Sequence, residues 1–280
     1  MNKKATLEIL GRFNIQPTRS LGQNFLTDER VVDNICAVAE LGPDDLVVEI
    51  GPGIGGLTHE LSRRSGQVIA IEIDQHVLPA LQHVMADAPN CTILHADALK
   101  TDLAALAAGR TRDVKVVANL PYYITTPLIV KILVEIPACT HLVLMLQNEA
   151  VDRILAGPGS KQYGPLAVLA QCFGETRREI MVPAASFYPK PHVDSCVIRM
   201  KREEQLQIND WPAFHRFLEK CFAQRRKMFI NSLRIAGLNQ IQLARLTEIM
   251  AELGVSAEIR AEMITKEQFA AIYHRIYCQK

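Results

Sequence analysis

The sequence predicts an α/β fold with a doubly wound parallel sheet, followed by a small all-helical domain. In the first half of the chain, short runs rich in Val, Ile and Leu alternate with longer segments of helical pattern, as expected for buried parallel strands joined by helices. After a polar stretch near residue 205 the pattern becomes helical throughout. The predicted strands are 46–50, 68–72, 92–95, 114–118 and 141–146.

The second domain is predicted from its helix signals. The stretch 201–210 is polar and is typical of a linker. Asp210 then stands where a helix cap is expected, ahead of apolar residues at helical spacing. Thr265 and Gln268 have the spacing of a capping box at the start of a last helix. The expected domains are therefore 1–204 and 205–280.

Composition narrows the class of protein. The 280 residues are 49% hydrophobic and 22% charged, which suits one well-buried α/β domain and a smaller appendage. The chain has no apolar run of membrane-spanning length and no apolar signal-peptide core, so we expect a cytoplasmic protein that does not enter a membrane. The seven cysteines are scattered without a Cys-x-x-Cys pair, which favours free thiols over disulfides or a zinc site.

The net charge of +1 conceals two basic stretches. Residues 177–202 carry six Lys and Arg against two acidic residues, and residues 216–234 carry six against one. Phosphate binding depends on clustered Lys and Arg, so both stretches are candidates for contact with nucleic acid. A solvated surface explains the same charges equally well.

A glycine motif directly follows the first predicted strand. Gly51, Gly53 and Gly56 satisfy the pattern Gly-x-Gly-x-x-Gly. Glycines at these positions let the backbone turn tightly and approach a ligand closely. The motif fits nicotinamide and flavin cofactors as well as S-adenosylmethionine, and a plain strand-to-helix turn is the alternative.

Acidic residues follow the next two predicted strands. Glu72 ends the second strand, where a carboxylate can accept hydrogen bonds from both ribose hydroxyls of an adenosine cofactor. Asp97 follows the third strand, where a carboxylate can accept one from an adenine amino group. Ligands of open α/β sheets lie at the carboxyl ends of the strands, so the three motifs together predict one cofactor site.

The segment after the fourth strand indicates the reaction. The amino nitrogen of adenine is conjugated with its ring and is a poor nucleophile. The Asn119 side-chain oxygen and the Leu120 carbonyl can bind its two hydrogens and favour a pyramidal nitrogen with a free lone pair. Pro121 would stiffen the turn, and Tyr122 offers a flat face on which the base can stack. The segment predicts amine methylation driven by positioning and electrostatics.

With these motifs the sequence resembles the ribosomal RNA adenine dimethyltransferases over nearly its whole length. Residues 222–227 resemble the basic helix of that family's second domain. The full set of matching motifs is 20–26 (SLGQNFL), 49–56 (EIGPGIGG), Glu72, Asp97, 119–122 (NLPY), 187–195 (FYPKPHVDS) and 222–227 (FAQRRK).

The resemblance implies roles for individual residues. Tyr122 and Phe187 would enclose a flipped adenine, and Arg225, Arg226 and Lys227 would contact RNA phosphates. No metal is expected. The residues expected to contact S-adenosylmethionine are Asn24, Leu26, Gly51, Glu72, Asp97 and Asn119.

The resemblance further implies dimethylation of two adjacent adenosines in the 3′-terminal hairpin of 16S rRNA, within an assembling 30S subunit. Nothing in the sequence suggests more than a monomer. The nearest alternative is the antibiotic-resistance branch, which modifies one adenosine of 23S rRNA. Leu120 and the full-length C-terminal domain favour the small-subunit branch. A non-catalytic RNA-binding or transcription factor on the same scaffold is another alternative, and the intact segment 119–122 argues against it.

Overall fold

The structure is a computed structural model, and it describes residues 1–18, 21–108, 113–120, 124–136, 138–203, 206 and 208–277. The chain divides into two compact units. The first unit consists of Met1–Val151 and Thr176–Arg202, and the second of Asp152–Glu175 and Glu203–Lys280.

Seven of the strands form one mixed sheet and two short strands form a separate pair. The strands are β1 Phe25–Leu26, β2 Leu46–Ile50, β3 Gln67–Glu72, β4 Cys91–His95, β5 Val114–Asn119, β6 Cys139–Gln147, β7 Gly174–Val182, β8 Phe187–Tyr188 and β9 Ser195–Arg202. The sheet has the order β4-β3-β2-β5-β6-β9-β7. Strands β2 to β6 are parallel, and β9 is antiparallel to β6.

The strand order fixes where a ligand can bind. From β2 the chain winds through β3 to β4 on one side and then through β5 to β6 on the other, so the direction reverses between β2 and β5. That reversal opens a crevice at the carboxyl ends of the strands. The five predicted strands are confirmed within a residue or two, and the doubly wound sheet with them.

Helices connect the strands of the first unit. They are α1 Lys3–Arg12, α2 Glu29–Val38, α3 Thr58–Arg64, α4 Leu78–Val84, α5 Leu103–Ala107, α6 Thr125–Glu135 and α7 Asn148–Ile154, the last of which continues into the second unit. Residues of β2 are buried throughout, as expected for a central strand covered on both faces.

The described residues of the second unit are mainly helical. Its helices after α7 are α8 Pro165–Phe173, α9 Trp211–Phe222, α10 Phe229–Ile235, α11 Gln240–Glu252 and α12 Lys266–Tyr277. Its core is aromatic: Phe269 lies 5.5 Å from Phe222 and 6.0 Å from Phe229 between ring centroids. Both predicted caps are confirmed, because Asp210 accepts from the Ala213 N–H and the box at the start of α12 is closed.

The chain divides at Arg202 and Glu203, close to the boundary predicted near residue 205, but the second unit also includes residues 152–175. Residues 152–175 belong with the C-terminal helices, because Lys266 donates to the Gln171 carbonyl and the Tyr163 hydroxyl donates to the Ile264 carbonyl. The predicted linker 201–210 is partly strand, since β9 ends at Arg202. Residues 204 and 205, where the boundary was placed, lie outside the described residues.

In the described part of the chain, no helix combines the length and apolar character that crossing a membrane requires. The six cysteines described there are free thiols, as predicted.

Candidate active site

A cavity opens at the carboxyl ends of the parallel strands and gathers most of the predicted site residues. Eight of them line this one cavity: Asn24, Leu26, Gly51, Glu72, Asp97, Asn119, Leu120 and Phe187. They come from distant parts of the sequence and are brought together by the sheet. Pro121 and Tyr122, the other two predicted catalytic residues, lie outside the described residues.

The glycine turn after β2 adopts a backbone that side chains disfavour. Gly51 has a φ of +73° and Gly53 a φ of +57°, both in the left-handed region. A Cβ on Gly53 would also lie 3.0 Å from the Phe25 ring. Glycine therefore suits both positions. Both residues line the cavity, where the lack of a side chain fits a cofactor that must approach the chain closely.

Glu72 is buried at the end of β3 and is held by main-chain donors. Its Oε2 accepts from the Gly53 N–H at 2.9 Å, and its Oε1 accepts from the Asp74 N–H at 2.8 Å. Burial raises the pKa of this carboxyl, while the two N–H groups oppose the rise. Each oxygen has a second lone pair, so the carboxylate can still accept from ribose hydroxyls.

Asp97 lies at the cavity edge after β4. Its Oδ1 accepts from the Leu99 N–H at 2.9 Å, which fixes the side chain beside the turn. Its Oδ2 is 3.5 Å from the Lys100 ammonium, and the side chain is about a quarter exposed. An adenine amino group at this edge would meet a partly solvated carboxylate, so we expect a weaker contact than at Glu72.

Asn119 is the last residue of β5 and its amide is oriented by the N-terminal segment. Its Nδ2 donates to the Asn24 carbonyl at 3.2 Å. The amide oxygen of Asn119 is therefore turned away from Asn24 and available as an acceptor. Leu120 follows, almost fully buried, with its N–H donating to the Met145 carbonyl of β6. The N-terminal segment thus holds the side chain of Asn119, and β6 holds the main chain of Leu120.

Two short strands bring the N-terminal segment beside Phe187. In the antiparallel pair β1–β8, Leu26 is opposite Phe187 and Phe25 is opposite Tyr188. Thr27 extends the pairing, because both its N–H and its hydroxyl donate to the Ser186 carbonyl. The pairing explains why a motif before β2 and a motif after β7 line the same cavity.

A polar chain that sequence analysis missed also holds the N-terminal segment. Gln23 donates through Nε2 to Asp74 at 2.6 Å, and Asp74 donates through its N–H to Glu72. Gln23 stands inside a matched motif, but Asp74 follows β3 without any motif to single it out. Only the folded chain brings the two together.

Glu49 is a second residue whose importance the sequence did not reveal. It is 1% exposed, lines the cavity, and its Oε2 has no hydrogen-bond partner among the described residues. Burial raises the pKa of Glu49 to about 8, and the nearby charge of Glu72 adds to the rise. The available signal was the acid itself, because Glu49 is the one charged residue in the apolar run 46–50 and stands two residues before Gly51.

The raised pKa of Glu49 makes stability depend on pH. Between about pH 4.5 and pH 8 the folded state retains a proton that the unfolded chain releases, so stability falls as pH rises through this window. Gln cannot ionise. In thermal unfolding without methyl donor, we expect the Tm of Glu49→Gln to rise relative to that of the wild type as pH rises. Each kcal/mol of stability that the wild type loses should appear as a Tm difference of about 2–4 °C. Parallel Tm curves for the two proteins from acid to pH 8 would contradict this.

The basic residues expected to bind RNA differ in their surroundings. Residues 223–227 form the turn between α9 and α10 and not the basic helix that was expected. Arg225 donates to the carbonyls of Lys161 and Tyr163 at 2.9 and 2.8 Å and lies 3.6 Å from Glu262. All three side chains are exposed, but Arg226 and Lys227 have no side-chain partner among the described residues. Arg225 therefore has a structural role within the second unit.

The first basic stretch is also partly neutralised. Arg199 pairs with Glu179 at 2.9 Å and with Glu40, and Lys201 pairs with Glu40 at 3.1 Å. These pairs hold β9 to the end of α2. Fewer cations are available here for phosphates than the sequence suggested.

We expect Arg225→Ala and Arg226→Ala to separate stability from RNA binding. Arg225→Ala removes two hydrogen bonds from a charged donor, so we expect a loss of about 1–3 kcal/mol in stability and a lower Tm. Arg226→Ala should leave the Tm unchanged and reduce the salt slope of RNA binding by about one ion. Thermal unfolding and binding at several salt concentrations measure both effects. An unchanged Tm for Arg225→Ala would refute its structural role.

The fold and the cavity together define a class of protein. The strand order around β2 is that of the dinucleotide-binding fold. Beyond β6, however, the sheet continues with the antiparallel strand β9, whereas a fully parallel nicotinamide-binding sheet has no antiparallel strand. A glycine turn, a buried ribose acid and an Asn-Leu turn follow successive strands. These features are those of a Rossmann-like methyltransferase that uses S-adenosylmethionine.

Comparison with known proteins identifies the family. The model of the family "Ribosomal RNA adenine dimethylase" matches residues 14–277. The ribosomal RNA small subunit methyltransferase A of Moorella thermoacetica is 41% identical over 95% of this chain and 95% of its own length. The protein of the same name from Natranaerobius thermophilus is 38% identical over 98% and 96%. This chain belongs to the ribosomal RNA adenine dimethylase family, and it is an rRNA adenine dimethyltransferase.

Two solved structures share the fold. A dimethyladenosine transferase from Plasmodium falciparum has a TM-score of 0.73 and 24% identity, covering 89% of this chain and 95% of its own. The 23S rRNA methyltransferase ErmE has a TM-score of 0.66 and 26% identity, covering 90% and 99%.

Proposed function

We propose that this enzyme dimethylates the amino groups of two adjacent adenosines in the 3′-terminal hairpin of 16S rRNA, on an assembling small subunit in the cytoplasm, acting as a monomer. The observation that carries the chemistry is the oriented amide of Asn119 at the cavity. The relatives named as small-subunit enzymes are 38–41% identical to this chain over nearly its whole length, which supports the small-subunit target.

The residues of the cavity suit S-adenosylmethionine. We assign Glu72 to the ribose hydroxyls, Asp97 to the adenine amino group and the Gly51 turn to close backbone contact. Asn24 and Leu26 would close over the donor from the N-terminal segment. The donor supplies a methyl group on a sulfonium, which is already activated for transfer, so the protein needs no strong base to start the reaction.

The protein's contribution is to prepare the nucleophile. The Asn119 oxygen and the Leu120 carbonyl accept the two hydrogens of the target amine and draw its lone pair out of conjugation. Phe187 forms one wall against the flipped base, and we assign the other wall to Tyr122. Fixed acceptors stabilise the developing positive charge on the nitrogen without reorganising. After each transfer the methylated nitrogen carries a positive charge, and it loses one proton to solvent water.

The second unit and its exposed basic turn are proposed to bind the RNA backbone. Arg226 and Lys227 are the residues of the predicted set whose charges have no described role in the fold. Contact with phosphates would add affinity without reading sequence, so the choice of adenosine would come from the cavity.

Parallel methylation of undermethylated 30S and 50S particles tests the proposed target. With purified enzyme and labelled donor, we expect label in 30S rRNA and, after digestion, dimethyladenosine in its 3′-terminal hairpin. Label confined to 50S rRNA would assign the enzyme to the 23S branch. Donor binding without label in either particle would favour a non-catalytic role.

A further inference from the structure

A second, shallower groove lies beside the active-site cavity in the first unit. Its floor is apolar and is formed by Leu10 and Ile15, and one edge is the ring of Tyr188. Leu7 on the rim is 41% exposed, which leaves apolar surface open to solvent. The remaining lining comes from Gly11, Asn14, Gln16 and Pro17.

The groove carries two amides without a partner. Asn14 and Gln16 are exposed, and neither side chain has a hydrogen-bond partner among the described residues. Asn14 has a φ of +52° because it closes the end of α1, with the Ile15 N–H donating to the Leu10 carbonyl at 2.9 Å. The helix end thus holds the Asn14 side chain at the groove, where its amide faces no protein group.

The groove lies beside the active-site cavity, and the strand pair β1–β8 contributes to both. Phe187 lines the active-site cavity, and Tyr188, the next residue of β8, lines the groove. Phe25, opposite Tyr188, lines the cavity and packs in one cluster with Leu10 and Tyr188. Side chains of one strand pair therefore border both spaces.

The chemistry of the groove matches an unpaired purine. An aromatic ring beside an apolar floor stacks a base, and Asn or Gln amides pair with the amino group and ring nitrogen of adenine. Lys190 is exposed two residues beyond Tyr188 and has no ion pair among the described residues, so it can meet a phosphate.

We propose that this groove binds the adenine next to the one being methylated. The inference rests on the proposed function, because it needs an RNA with adjacent unpaired adenosines. While one adenine is in the active-site cavity, its neighbour contacts Tyr188 and is recognised by Asn14 and Gln16. The groove then selects a target by its neighbour, which the active-site cavity alone cannot do.

Binding of hairpin RNAs to the full-length protein tests the groove. The probes are a fluorescent small-subunit 3′-terminal hairpin and the same RNA with an abasic site beside the target adenosine. For wild type we expect the abasic RNA to bind roughly tenfold more weakly, as for loss of one stacked base. For the double variant Asn14→Gly, Gln16→Ala we expect the intact hairpin to bind several-fold more weakly and the abasic penalty to shrink. Glycine keeps the left-handed backbone of position 14.

Two further variants keep the test decisive. Tyr188→Leu retains apolar packing but lacks the ring, so it should also reduce the abasic penalty. Gln82→Ala, which removes an exposed amide on α4 outside both cavities, should match wild type. A wild-type protein indifferent to the abasic site, or a double variant with the full penalty, would overturn the inference. Failure of the proposed function would appear separately, as no methylation of 30S particles by the wild type.

Discussion

Asn119→Ala is expected to lower kcat about 100-fold or more, as for loss of one hydrogen bond made in the transition state. The dissociation constant of S-adenosylmethionine should change only a few-fold, since Glu72 and the Gly51 turn, which we propose bind the donor, are unchanged. The reason is the amide's position at the end of β5, where Nδ2 donates to Asn24 and leaves the oxygen for the target amine. Single-turnover methylation and donor titration separate the two effects.

Asn119→Asp is the matched variant. It keeps an acceptor for the amine but places its other oxygen against the Asn24 carbonyl, where a donor was lost. We expect a rate between those of wild type and Asn119→Ala. A rate for Asn119→Ala close to wild type would remove the residue from the chemistry.

Glu72→Ala is expected to weaken donor binding about 100-fold, with kcat at saturating donor within a few-fold of wild type. The variant loses the ribose acceptor and leaves the Gly53 N–H without its partner, so both the ligand and the turn are affected. Glu72→Gln keeps the shape and one acceptor oxygen, so its loss should be smaller. Calorimetric titration with S-adenosylmethionine measures the difference. Equal dissociation constants for wild type and Glu72→Ala would show that the ribose is bound elsewhere.

Strands β2, β3, β5 and β6 were predictable because they are buried almost throughout, on both faces. Runs such as 46–50 carry apolar residues without alternation, and the motifs at their ends fix which edge binds the ligand. Strands β7 and β9 were not predicted. Their sequences mix charged with apolar residues, so neither strand shows the continuous apolar run that marks a buried strand. In β9 the charged residues Arg199 and Lys201 form ion pairs with Glu40.

The residues of the site were predictable from motifs, but the hydrogen bonds and the burial that connect them were not. The roles of Gly51, Glu72 and Asn119 follow from positions after strands, and the cavity brings these residues together. The Gln23–Asp74 bond and the buried Glu49 depend on tertiary packing, which no spacing along the chain encodes. Clustered charge was the least informative signal, because it did not distinguish Arg225, which is hydrogen-bonded within the second unit, from Arg226 and Lys227.

Nucleoside analysis of small-subunit rRNA from cells lacking this gene tests the central claim most directly. Cells that carry the wild-type gene on a plasmid should contain dimethyladenosine at two adjacent positions of the 3′-terminal hairpin. Deletion cells, and cells complemented with Asn119→Ala at equal protein level, should lack it or contain traces. Full dimethylation in the deletion cells or in the Asn119→Ala cells would contradict the account.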